Sequence, residues 1–127
     1  MARVLVVDSS GEARELCAEL RVEGYEVELF SEPARALVDL RETPADVVLV
    51  DLMIPGTTGL AFARLLRERH PDIRVVLTGA YQLSERQLLR ADCGAVGFVP
   101  KPYGTREVAS FLQTKAPSAP PSMRARV

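Results

Sequence analysis

Tryptophan is absent from this chain, histidine occurs once, at His70, and cysteine only twice, at Cys17 and Cys93. No Cys-x-x-Cys spacing and no Cys/His cluster can be assembled from so few residues, which excludes a zinc-type centre. Two lone cysteines read instead as small core or boundary residues of a reduced, cytoplasmic protein. No apolar run approaches the length that crosses a bilayer, and no basic N-terminal stretch leads into one, so a soluble protein without a membrane partner is expected. An excess of charge of either sign is missing too: 16 Lys and Arg stand against 17 Asp and Glu, for a formal net charge of −1. That balance offers no basic field for direct nucleic-acid binding. The arginines lie scattered among helical apolar positions, where they read as solvated helix faces.

What the chain does have is hydrophobic residues, 47% of its 127, enough to pack one domain without disulfide or metal staples. They fall into two alternating patterns. Val4 to Val7, Tyr25 to Phe30, Asp46 to Val50, Ile73 to Leu77 and Ala95 to Val99 are short and β-branched, as strands are. In the second, Val27 and Leu29 alternate with Glu26 and Glu28, which suits a strand with one wet face near a sheet edge. The continuous runs suit strands covered on both faces. Between them lie amphipathic helices. Ser9 and Glu12 have capping-box spacing before Ala13, Leu16, Cys17 and Leu20, and Gly24 closes that stretch. Ser31 and Pro33 open a second helix with Ala34, Leu37, Val38 and Leu40. A third, from about Thr58 to His70, buries Phe62, Leu65 and Leu66. Ser84 and Gln87 again have capping-box spacing, and Thr105 can cap a last helix with Val108, Phe111 and Leu112. Five βα repeats of this kind predict an α/β doubly wound fold, a three-layer sandwich around a parallel sheet. Residues 1–115 form the expected domain, and the Pro/Ala/Ser/Arg-rich residues 116–127 a flexible tail or linker stump.

Four polar residues stand at the ends of apolar runs: Asp8, Asp51, Thr78 and, through Pro100, Lys101. In an open parallel sheet the strand C-termini share one edge, so these four are expected to converge. Two carboxylates at such an edge can hold Mg²⁺, which takes hard oxygen ligands and keeps several waters. An ammonium and a hydroxyl beside them suit the charge of a transferring phosphoryl group, for which a carboxylate can be the nucleophile. Each residue by itself could merely cap a loop or sit in solvent; four at four strand ends favour a site. His70, with no second histidine near it in sequence, reads as an exposed helix-end residue.

With these motifs in hand, the chain resembles the receiver domain of two-component response regulators (CheY-like) over about residues 3–115. The carriers are Val-Leu-Val-Val-Asp ending at Asp8, Val-Asp-Leu-Met-Ile-Pro-Gly from Val50 with Gly59, Val-Leu-Thr-Gly-Ala from Val76, and Gly-Phe-Val-Pro-Lys-Pro from Gly97. The resemblance implies a flavodoxin-like (βα)5 fold with strand order 2-1-3-4-5. It implies that Asp51 is the phosphoacceptor, taking its phosphoryl group from a phosphohistidine of a sensor histidine kinase or phosphotransfer protein. Asp8, Asp51 and the backbone carbonyl of Met53 would bind Mg²⁺. Thr78 and Lys101 would contact the phosphoryl group, the Lys101–Pro102 bond would be cis, and Thr78 with Phe98 would form the switch. That switch would reshape the face made by the fourth helix, fifth strand and fifth helix, where an output partner or a second copy docks. Such a domain catalyses only its own phosphorylation and dephosphorylation, and Met53 and Ala80 would tune the lifetime of the phosphate.

One position departs from the pattern. Receivers of this type carry two adjacent acids after the first strand, and here the second is Ser9. A unit charge pair at ~4 Å is worth ~4 kcal/mol at an effective dielectric of ~20, and a water ligand recovers only part of that. Mg²⁺ binding should therefore be weak. Ser9→Asp is expected to tighten it in a calorimetric titration, and unchanged affinity would contradict the account. Ser9 also favours a pseudo-receiver that docks partners without phosphorylation. A flavin-binding flavodoxin shares the fold, and Ser9-Ser10-Gly11 faintly resembles its phosphate loop, but Asp8 and Asp51 would repel a flavin phosphate. No second acid or base pair suggests a hydrolase acting on an outside substrate.

Overall fold

In the computed structural model, which describes residues 2–115, the strand β1 (Arg3–Val7) lies inside the main sheet with every residue buried. The chain continues through α1 (Glu12–Val22), β2 (Glu26–Phe30), α2 (Pro33–Glu42) and β3 (Val47–Asp51). Two-residue strands β4 (Met53–Ile54) and β5 (Thr57–Thr58) follow, then α3 (Gly59–Arg69), β6 (Arg74–Gly79), α4 (Glu85–Ala91), β7 (Gly97–Pro100) and α5 (Thr105–Lys115). The main sheet is parallel throughout, in the order β2-β1-β3-β6-β7. With the small β4/β5 hairpin set aside, this is the expected 2-1-3-4-5 arrangement.

Side-chain alternation along the strands divides the core into two layers. Val4, Val6, Val47, Leu49 and Val76 face α1 and α5, while Leu5, Val7, Val48, Val50, Val75 and Leu77 face α2 and α3. Both faces are apolar because both are covered, which is why these strands read as unbroken hydrophobic runs. Each fully buried Val or Leu contributes about 1.5–3 kcal/mol. Helix α1 buries Ala13, Leu16, Cys17 and Leu20 as its periodicity requires. On α2 the buried stripe is Ala36 and Leu40, with Val38 exposed. Among the described residues no helix is long and apolar enough to cross a membrane. The expected tail, residues 116–127, lies outside the described residues.

Several local expectations are corrected. Ser9 does not cap α1: the cap position is Gly11, without a side-chain bond. The reason is the Asp8 carboxylate, whose Oδ1 accepts the Ser10 N–H at 2.8 Å and closes a turn before the helix begins. Glu32, in extended backbone, precedes Pro33 at the start of α2 where Ser31 was expected. Thr105 is the first residue of α5 rather than its cap, and the Gly104 carbonyl accepts from the Val108 N–H at 3.1 Å. The Ser84/Gln87 capping box does form, with both reciprocal bonds. His70 is half-buried at the C-cap of α3.

The last strand also differs. A run from Ala95 to Val99 suggested cover on both faces, yet β7 is only half-buried. It forms the second edge of the sheet, and α4, which precedes it in the chain, buries no residue fully. α4 is held by polar bonds at its ends. Its capping box fixes one end, while Arg64 and Arg67 of α3 donate to the Ala91 and Asp92 carbonyls and the Asp92 carboxylate at the other. The Arg67 hydrogen bond and charge also hold the Asp92 carboxyl below its ordinary range. A groove of about 560 Å³ remains between α4 and β7, with Leu88, Phe98 and Phe111 in its wall.

Candidate phosphoacceptor site

β1 and β3 are neighbours at the centre of the sheet, and the chain leaves each toward a different face, making the switch point at which open α/β sheets bind ligands. Asp8 leaves β1 there and Asp51 ends β3; their residue exposures are 2% and 8%. On β6, Thr78 is the register partner of Asp51. β7 runs beside β6, and the Lys101 N–H donates to the Gly79 carbonyl at 2.8 Å, which carries the lysine across the sheet end. The Lys101–Pro102 bond is cis. Residues 8, 51, 78 and 101 thus meet at one edge.

The Lys101 ammonium joins the two acids. Its Nζ donates to Asp51 Oδ2 at 2.8 Å and to Ser10 Oγ at 3.2 Å, and it lies 2.9 Å from Asp8 Oδ2. The last contact is a close ion pair outside hydrogen-bond geometry, so buried Asp8 Oδ2 keeps a free acceptor direction. Burial by itself would pull the ammonium down; the close contacts with Asp51 and Asp8 and their negative charges outweigh it and hold Lys101 above the ordinary lysine value. Asp51 Oδ1 accepts the Met53 N–H at 3.2 Å. The Pro55-Gly56 turn, with Gly56 at φ +79°, folds β4 onto β5 and fixes Met53 opposite Thr58. Thr58 then caps α3, accepting from the Ala61 N–H at 3.1 Å.

Two buried hydroxyls stand near these charges without a hydrogen-bond partner. Thr78 Oγ1 is one, in a residue with no exposed surface, and the Tyr103 phenol is the other. Burial, together with the charge of Asp8, pushes the Tyr103 phenol above the ordinary tyrosine range. Sequence reasoning missed Tyr103, and it missed Ser10 as a partner of the lysine. Phe98 is half-buried in the groove wall beside α4, and Ser9 is exposed.

The oxygens at this edge fit a divalent cation of the Mg²⁺ kind. Asp8 Oδ2 is buried with an unused acceptor direction, and Asp51 Oδ2 shares the same ammonium neighbour. Among the described residues no group of three or more His, Cys, Asp or Glu side chains gathers. Two carboxylates completed by carbonyl and water oxygens are nonetheless the donor set that Mg²⁺ commonly takes.

Known proteins resemble this chain in sequence and in fold. The family model described as "Response regulator receiver domain" matches residues 4–113. The transcriptional regulatory protein BaeR of Escherichia coli O6:H1 is 36% identical over 113 residues, which are 88% of this chain and 47% of that protein. The sensory transduction protein RegX3 of Mycolicibacterium smegmatis is 34% identical over 114 residues, 89% of this chain and 50% of that protein. The chain therefore spans about half the length of these curated relatives. Among solved structures, a CheY-like receiver domain protein from Methanospirillum hungatei superposes with a TM-score of 0.82 at 21% identity, covering 92% of this chain and 94% of that one. The chemotaxis response regulator CheY4 of Vibrio cholerae gives 0.79 at 26% identity, covering 90% and 98%. With its five-stranded sheet, its paired acids at the switch point and this family match over nearly all of the described residues, the chain belongs to the receiver domains of response regulators.

Proposed function

We propose that Asp51 is the phosphoacceptor of this receiver and that its donor is a phosphohistidine on a sensor histidine kinase or phosphotransfer protein in the cytoplasm. An Asp51 carboxylate oxygen attacks phosphorus, the P–N bond breaks, and the imidazole leaves as the acyl phosphate forms. Lys101 is placed to take up charge on the phosphoryl oxygens, since its ammonium already touches Asp51 Oδ2. Mg²⁺, held by Asp8, Asp51 and the Met53 backbone carbonyl, would supply the remaining charge neutralisation.

The observation that carries this reading is the Thr78 hydroxyl, buried, unpartnered and in register with Asp51. An orphaned buried donor costs about 1–3 kcal/mol, and a phosphoryl oxygen on Asp51 would relieve that cost. Thr78 then turns toward the phosphoryl group and Phe98 follows, using the groove beside α4. The α4/β7/α5 face presented to an output partner changes as a population shift between two packings. Met53, 77% exposed beside Asp51, and Ala80 are the positions expected to influence how long the phosphate persists.

The test is intact-protein mass after incubation with Mg²⁺ and acetyl phosphate. A single phosphoryl adduct is expected, lost in Asp51→Ala and in excess chelator. Ser9, neutral where a second acid would stand, favours the other reading, a receiver that binds partners unmodified. Absence of the adduct from a protein shown to be folded would support that reading.

A further inference from the structure

Ser10 grips both members of the Asp8–Lys101 ion pair. Its backbone N–H donates to Asp8 Oδ1 at 2.8 Å, and its hydroxyl oxygen accepts from Lys101 Nζ at 3.2 Å. Ser10 is itself fixed, half-buried, in the turn that leads into α1, where its carbonyl accepts from the Ala13 N–H at 3.3 Å. Asp8 therefore has Oδ1 engaged by a backbone donor and Oδ2 beside the ammonium at 2.9 Å. A divalent cation taking the open direction of Oδ2 would stand beside the ammonium that Ser10 helps to hold there. Two like-signed charges cannot share that oxygen without a repulsion that weakens both contacts.

We infer that Ser10 is a positioning residue whose hydroxyl holds the Lys101 ammonium against Asp8 in the metal-free site and so opposes entry of Mg²⁺. The inference deepens the phosphoacceptor reading and rests on it for the identity of the metal. The neutral side chain at position 9 adds to the effect. Where a neighbouring carboxylate would draw the cation in against the ammonium, Ser9 supplies no charge. Asp8 and Asp51 together carry two negative charges, and one positive charge already lies within hydrogen-bond reach of both.

The alternative for Ser10 is a turn residue acting only through its backbone. Ser10→Ala separates the two, because it keeps the N–H on Asp8 and removes only the acceptor of the ammonium. Calorimetric titration of the full chain with Mg²⁺ is expected to show about fivefold tighter binding in Ser10→Ala, equivalent to roughly 1 kcal/mol, because water replaces part of the lost hydrogen bond. Ser10→Thr, which restores the hydroxyl, should bind as the parent does. A general loosening of the site would weaken Mg²⁺ binding, so the sign of the change is diagnostic. Unchanged or weaker binding in Ser10→Ala, Ser10→Thr behaving like Ser10→Ala, or no measurable Mg²⁺ binding by any of the three overturns the inference. The acetyl phosphate reaction on the same proteins keeps the two readings apart. Loss of the adduct with the calorimetric difference intact overturns the phosphoacceptor role and leaves the Ser10 contact standing. A normal adduct without the difference overturns the Ser10 role alone.

Discussion

Lys101→Met is expected to cost the folded domain about 3–5 kcal/mol in urea denaturation with chelator present, the range for removing one partner of a buried ion pair. The side chains concerned are all poorly accessible: 12% for Lys101 and Asp51 and 1% for Asp8. Methionine keeps most of the stem volume, so the loss reports the missing charge more than a cavity. Two acids would then face one another without a cation, and millimolar Mg²⁺ should restore much of the stability. The parent, with its own cation in place, should gain much less. Equal Mg²⁺ effects on parent and variant would contradict this account.

Gly59→Ala is the second large effect, and it acts through the backbone. A Cβ at this position would stand 2.5 Å from the Asp51 carbonyl oxygen and 2.9 Å from Leu52 Cα. Neither is the end of a side chain that can swing away, so α3 or the exit of β3 has to move. The Gly59 N–H also donates to the Leu52 carbonyl at 2.8 Å, which binds the helix start to the same segment. A loss of about 1–3 kcal/mol in thermal or urea melts is expected, with slower phosphoryl uptake because the displaced segment carries Asp51. Gly11→Ala is the control. It meets nothing within 4 Å and sits at φ −65°, so stability should change by no more than about 0.5 kcal/mol. A Gly59→Ala protein as stable as Gly11→Ala would show that β3 and α3 yield more easily than their contact implies.

The sheet and the meeting of Asp8, Asp51, Thr78 and Lys101 were legible because parallel topology turns strand order into proximity. Once five β-branched runs alternate with helical stretches, the residues after them have one edge to share. The helix starts were less legible. Ser9 has the spacing of a cap, but the neighbouring Asp8 carboxylate takes the Ser10 N–H first, and a competing local acceptor leaves no mark in spacing. β7 was misread because an apolar run does not reveal whether the helix beside it covers it, and α4 buries no residue fully. The β4/β5 strands, two residues each, are too short for any periodicity, though Pro55-Gly56 marks their turn. Ser10 and Lys101 are 91 positions apart, and their meeting depends on how two loops lie at the sheet end.

The two borders of the main sheet bear on how copies of this molecule can meet. β2 places exposed Glu26 and Glu28 along one border, so another strand aligning there would bring carboxylates close together. β7 ends in Pro100, which has no N–H to give to a further ladder. Charged and imino residues at sheet borders discourage open-ended strand addition, the route by which exposed sheets grow into fibrils. Both borders of the sheet thus resist strand addition, which leaves the helical faces as the surfaces without that restraint.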